Sequence, residues 1–159
     1  MQEKEYVQVL LHSLEKKIEV LKKIVAYNEE QNELLQKENV DIDEWQAIVD
    51  KKATQIDEIN FLDEGFENVY ERVKQALELH RKDYEPQIKE LQRLITVVTE
   101  LSVNIQAQEN RNKQLAQMVF SEYKKKSRRF QENKKALNVY RNQMRKTSVI
   151  DAQFLDKEN

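Results

Sequence analysis

The chain has 159 residues, of which 35% are charged and 39% aliphatic or aromatic, with a net charge of −2. It holds one glycine, Gly65, one proline, Pro86, and no cysteine. So few turn-forming residues exclude a sheet-rich or compact α/β fold, and the lack of cysteine excludes disulfides and thiolate metal sites.

What remains economical is an all-α chain of long amphipathic helices whose core is a narrow seam. No apolar run approaches the ~20 residues that span a bilayer. The opening MQEKEYVQVLLH has no basic region followed by an apolar stretch, so a cytoplasmic location is expected. The charge is unevenly placed. Residues 121–146 carry ten Lys/Arg and two Glu, a local +8; residues 147–159 sum to −2, which leaves −8 on residues 1–120.

In the first helix, expected over residues 3–38, Val7, Leu11, Leu14, Ile18, Leu21, Val25, Asn28, Asn32 and Leu35 recur at alternating steps of three and four. That is an a/d seam, widened by Leu10, Val20 and Ile24. Asn28 and Asn32 interrupt it. Either they set register from within, or the helix is wetter there.

Asn39-Val40 ends this helix and Asp41 caps the next, with Glu44 three residues on. So short a connection favours antiparallel neighbours. The second helix reads Ile42, Trp45, Val49, Ile56, Ile59, Phe66, Val73 and Leu77, with Lys52 out of register. Gly65 lies inside it, as a site of bending or close approach or as a tolerated surface residue. Pro86 predicts a break near residues 83–85 and the first turn of a third helix. Ile88, Leu91, Ile95, Val98, Leu101 and Ile105 give that helix a clear stripe.

Residues 106–114 offer only Ala107 as an apolar side chain, so poor packing is expected there. Leu115, Met118, Val119, Phe120, Tyr123, Phe130, Leu137, Tyr140 and Met144 then resume the pattern into the basic stretch, and all but the two methionines are the candidate partner-binding residues. They define a basic amphipathic helical arm over residues 115–146, following a coiled-coil body over 1–114. A non-helical, flexible tail is expected over 147–159. The overall expectation is an elongated antiparallel hairpin or three-helix bundle carrying this C-terminal arm.

No catalytic cluster is visible. His12 and His80 are far apart in sequence, no metal-ligand spacing occurs, and one glycine cannot build a phosphate-binding loop. The sequence therefore predicts no enzyme, no metal and no cofactor. The arm admits several partners: nucleic acid, an anionic membrane surface, or an acidic protein helix. The acidic remainder of the chain opposes nucleic acid. An exposed apolar row of this length calls for a cover, supplied by a client protein, by a twin in a homodimer acting as a structural adaptor, or by the chain itself.

The run from Lys51 to Val73, KKATQIDEINFLDEGFENVYERV, resembles FlgN-type flagellar export chaperones, above all at Leu62-Asp63-Glu64-Gly65-Phe66. Leu14-Glu15-Lys16-Lys17-Ile18 and the closing Asp151-Ala152-Gln153-Phe154-Leu155-Asp156-Lys157 are similar too. The resemblance implies a small cytoplasmic helical chaperone. Such a protein holds the helical termini of hook-filament junction proteins, prevents premature assembly, and delivers them to the type III export gate. In this family the C-terminal helical part holds the client and a nearby aromatic can contact the gate. Here that implies the arm, with Tyr123 and Tyr140 as the candidate aromatics.

Overall fold

The computed structural model describes residues 2–158, and the side chains of residues 2–146. Among these there are three α-helices and no strand: α1 (Gln2–Leu35), α2 (Ile42–Leu79) and α3 (Glu85–Glu158). The chain divides into two compact units, Met1–Leu115 and Ala116–Asn159.

The first unit is an up-down-up arrangement. Lys17 Nζ meets Asp63 Oδ1 at 2.6 Å, and Arg72 lies over the Tyr6 ring, so α2 runs antiparallel to α1. Asn28 bonds Gln108 and Asn32 bonds Asn112, each across 80 residues of sequence, so α3 runs parallel to α1. The turns follow from local chemistry. The Asp41 side chain accepts from the Asp43 and Glu44 N–H groups, satisfying two donors that the first turn of α2 leaves open. Val40, buried, and Trp45, half-buried, occupy the positions of a hydrophobic staple. At the other end, His80 N–H closes on the Ala76 carbonyl, residues 80–84 turn, and Pro86 sits in the first turn of α3, where its missing N–H costs nothing. Helices two and three are thus separate.

The apolar core gathers Val7, Leu10, Leu14 and Ile18 of α1 with Val73 and Leu77 of α2, Leu91 and Leu94 of α3, and Tyr84 of the turn. Burial raises the Tyr84 phenol above its ordinary pKa, and Glu3 adds to the rise.

Toward the other end the core becomes polar. Asn28, Gln31, Lys52, Gln108 and Asn112 are all buried. Asn28 Nδ2 donates to Gln108 Oε1 (3.1 Å), Gln108 Nε2 to the Val25 carbonyl (3.3 Å), and Asn112 Nδ2 to the Asn28 carbonyl (2.9 Å). Lys52 Nζ donates to Gln31 Oε1 (2.9 Å) and pairs with Glu109, so one ammonium ties all three helices together.

This layer corrects three expectations. Residues 106–114 are not poorly packed, because Gln108 and Asn112 fill the seam with amides in place of alkyl groups. Asn28 lies inside and fixes register rather than marking a wet stretch. Lys52 belongs to the seam of α2 instead of interrupting it. In the first half of that helix the inward register is therefore Ile48, Lys52, Gln55 and Ile59, and the expected seam residues Ile42 and Ile56 are exposed.

Two further expectations are revised. α1 ends at Leu35, before residue 38. The segment 147–158, expected to be non-helical, continues α3 to Glu158, since neither glycine nor proline follows Pro86 to break it. How its side chains pack lies outside the described residues.

Gly65 is exposed on α2, has ordinary helical backbone, and a Cβ placed there would meet nothing within 4 Å. It provides neither a close approach nor a left-handed turn. The Gly65→Ala variant should therefore be more stable by about 1 kcal/mol, seen as a thermal midpoint several degrees higher with an unchanged helical spectrum.

A candidate protein-binding surface on the C-terminal unit

The second unit is helical, and its apolar residues keep one face. Tyr123, Phe130, Leu137 and Met144 recur every seven residues, and Val119 and Tyr140 stand three or four residues from members of that row. Residues at these spacings line one stripe of a helix. The row is therefore a coiled-coil seam, with Tyr123, Phe130, Leu137 and Met144 at a and Val119, Lys126, Asn133 and Tyr140 at d.

This seam is open where the body's is closed. Phe130 is 69% exposed, Tyr140 60% and Leu137 48%. Met144 is exposed as well, whereas Leu115, Val119, Phe120 and Tyr123 are half-buried. Of the seven candidate binding residues, five (Val119, Tyr123, Phe130, Leu137, Tyr140) share the a/d face. Leu115 belongs to the end of the first unit, and Phe120 stands at the flanking e position. Met144, part of the apolar row in the sequence but outside the candidate binding residues, completes the face. The signal for it is its seven-residue step from Leu137.

Helix length explains the opening. The 80-residue offset between α1 and α3 brings Leu35, the last residue of α1, level with position 115.

Nothing else among the described residues competes as a site. No group of three or more His, Cys, Asp or Glu could hold a metal ion, and no helix is long and apolar enough to cross a membrane. His12 and His80 are both exposed. The clefts are open grooves between helices; one of about 400 Å³ is lined by the polar layer's Asn28, Asn32, Gln108 and Asn112.

The resemblance in residues 51–73 implies a small helical protein with a client-holding C-terminal helical part, and the family model for the FlgN protein matches residues 1–147. The chain belongs to the FlgN family. FlgN proteins are chaperones of flagellum biogenesis that bind flagellar export substrates. The match covers the three-helix body and the arm together. Neither the curated proteins nor the solved structures gave a match to this chain.

A FlgN arm that is open in the free protein contributes little to folding. Phe130→Ala and Tyr140→Ala should each shift stability by less than about 0.5 kcal/mol, as exposed substitutions do. Leu10→Ala, in the closed core, should cost about 2–5 kcal/mol. Thermal and urea melts followed by circular dichroism would check the contrast.

Proposed function

We propose that this FlgN protein is a cytoplasmic chaperone that holds the helical ends of hook-filament junction proteins on its C-terminal arm. In doing so it prevents their premature assembly and presents them to the type III export apparatus. The observation carrying this reading is the a/d stripe from Val119 to Met144, exposed at Phe130, Leu137, Tyr140 and Met144, in a member of a flagellar chaperone family.

The physical logic is coverage. The resemblance implies clients whose terminal helical segments are sticky and disordered as monomers, so that their apolar residues have no partner until a helix covers them. Laying one such segment along the arm removes both stripes from water. Each large side chain fully buried contributes about 1.5–3 kcal/mol, and a few suffice to exceed the cost of ordering the client. The arm is already helical, so the ordering cost falls on the client alone. Tyr123 and Tyr140 are the proposed aromatics for contact with the export gate.

Truncation after Gln114 separates the roles of the two units. The shortened chain should keep a cooperative helical melt, because the core and the polar layer lie within Met1–Leu115. It should fail to retain a flagellar junction protein in a pull-down that the full chain passes. Retention by the truncated chain would place client binding on the body, and loss of cooperative melting would assign the arm to the core.

A further inference from the structure

The arm's seam is not uniformly apolar. Two consecutive d positions hold Lys126 and Asn133, both exposed, between a positions that hold Tyr123, Phe130 and Leu137. The flanks carry more basic than acidic charge: Arg129 at g and Lys134 and Arg141 at e, against Glu122 at g. A helix that covers this stripe must bring something against an ammonium and an amide in the middle of its apolar contact. An uncompensated charge there costs far more than a hydrophobic pair gains.

We propose that the occupant of the arm is one acidic amphipathic helix with a carboxylate facing Lys126 and an amide or hydroxyl seven residues away facing Asn133. This inference rests on the arm being the client-binding surface and specifies how that surface selects. The apolar a positions supply affinity for any amphipathic helix. The two polar d positions fix which register is accepted, and the basic flanks reject helices of the wrong charge.

The same geometry disfavours a second copy of the chain. Parallel pairing would set Lys126 against Lys126 and Lys134 against Arg129 of the other arm. Antiparallel pairing sets e against e, which brings Lys134 toward Arg141. Both bring together two segments of net charge +8. An acidic helix turns each of these repulsions into a pair.

The test uses the full chain and synthetic 28-residue peptides of four heptads, the length of residues 119–146. The peptides carry Leu at a and d and Glu at e and g. One pair replaces two core leucines seven residues apart by polar residues: Glu then Asn at successive d positions for a parallel helix, and Asn then Glu at successive a positions for an antiparallel one. A matching pair carries Lys and Asn. Binding is read by fluorescence anisotropy at low micromolar concentration, alongside sedimentation of the chain alone. One Glu/Asn order should bind at least ten-fold tighter than its Lys/Asn counterpart, and Lys126→Glu should reverse that preference. Because Lys126 is exposed, the variant's thermal melt should match that of the parent.

Equal binding of the Glu and Lys peptides, or binding of none, overturns the inference, as does a chain dimer that Lys126→Glu tightens or dissolves. Pull-down of a full-length junction protein keeps the two ideas apart. Retention through the arm with no peptide preference removes only the register rule, whereas no retention removes the client reading itself.

Discussion

A helix can bury its apolar stripe only along the length of the neighbours beside it. α1 spans 34 residues and α2 spans 38, while α3 spans 74. The parallel register of α1 and α3, set by the Asn28–Gln108 and Asn32–Asn112 bonds, brings the end of α1 level with position 115. Within the first unit the stripe is closed by Leu10, Val73, Leu91 and their neighbours. In the second unit the stripe persists with Phe130, Leu137 and Tyr140 open. Folding and binding therefore draw on one continuous pattern of residues, and the length of the shorter helices decides where one gives way to the other.

The polar layer stands close to that transition. Amides and an ammonium in a seam stabilise less than leucines would, but they accept only one alignment. Lys52 has to find Gln31 and Glu109 together, and Gln108 has to find both Asn28 and the Val25 carbonyl. A one-residue slip of any helix breaks several of these at once. An all-leucine seam would let α3 slide and would shift the point at which its stripe opens. The layer thus sets how much of α3 is given to the body and how much to a partner.

Much of this was legible in the sequence. One glycine and one proline left only long helices, Asp41 and Pro86 marked the starts of α2 and α3, and the alternating steps named the buried face of α1; in residues 88–105 they named Leu91 but put Ile95, which is exposed, where the neighbouring Leu94 is the buried residue. The exposed row of the arm was legible because apolar residues resumed after the 106–114 gap. The polar layer was not. A hydrophobicity pattern reads Gln108, Asn112 and Lys52 as surface, and their burial depends on partners 80 and 21 residues away in the chain. That error also moved the seam of the first half of α2 onto Ile42 and Ile56. The segment after residue 146 was misread as non-helical because its apolar residues come in pairs without a clear period, yet no breaker stands in it. The heptad in the arm, with Met144 as its last apolar member, stands out once the whole segment is set on one helix.

The open part of the stripe, Phe130, Leu137, Tyr140 and Met144, is proposed to be covered by a foreign helix. Hydrogen–deuterium exchange of the full chain, alone and saturated with a flagellar junction protein, tests this most directly. Slow exchange is expected in both states within residues 7–35, 42–79 and 85–101; a helix held only by its own hydrogen bonds opens readily, so 119–146 should exchange faster and slow by at least ten-fold when the junction protein is bound. Strong protection of 119–146 in the free chain, or a slowing confined to the three-helix body, would contradict it.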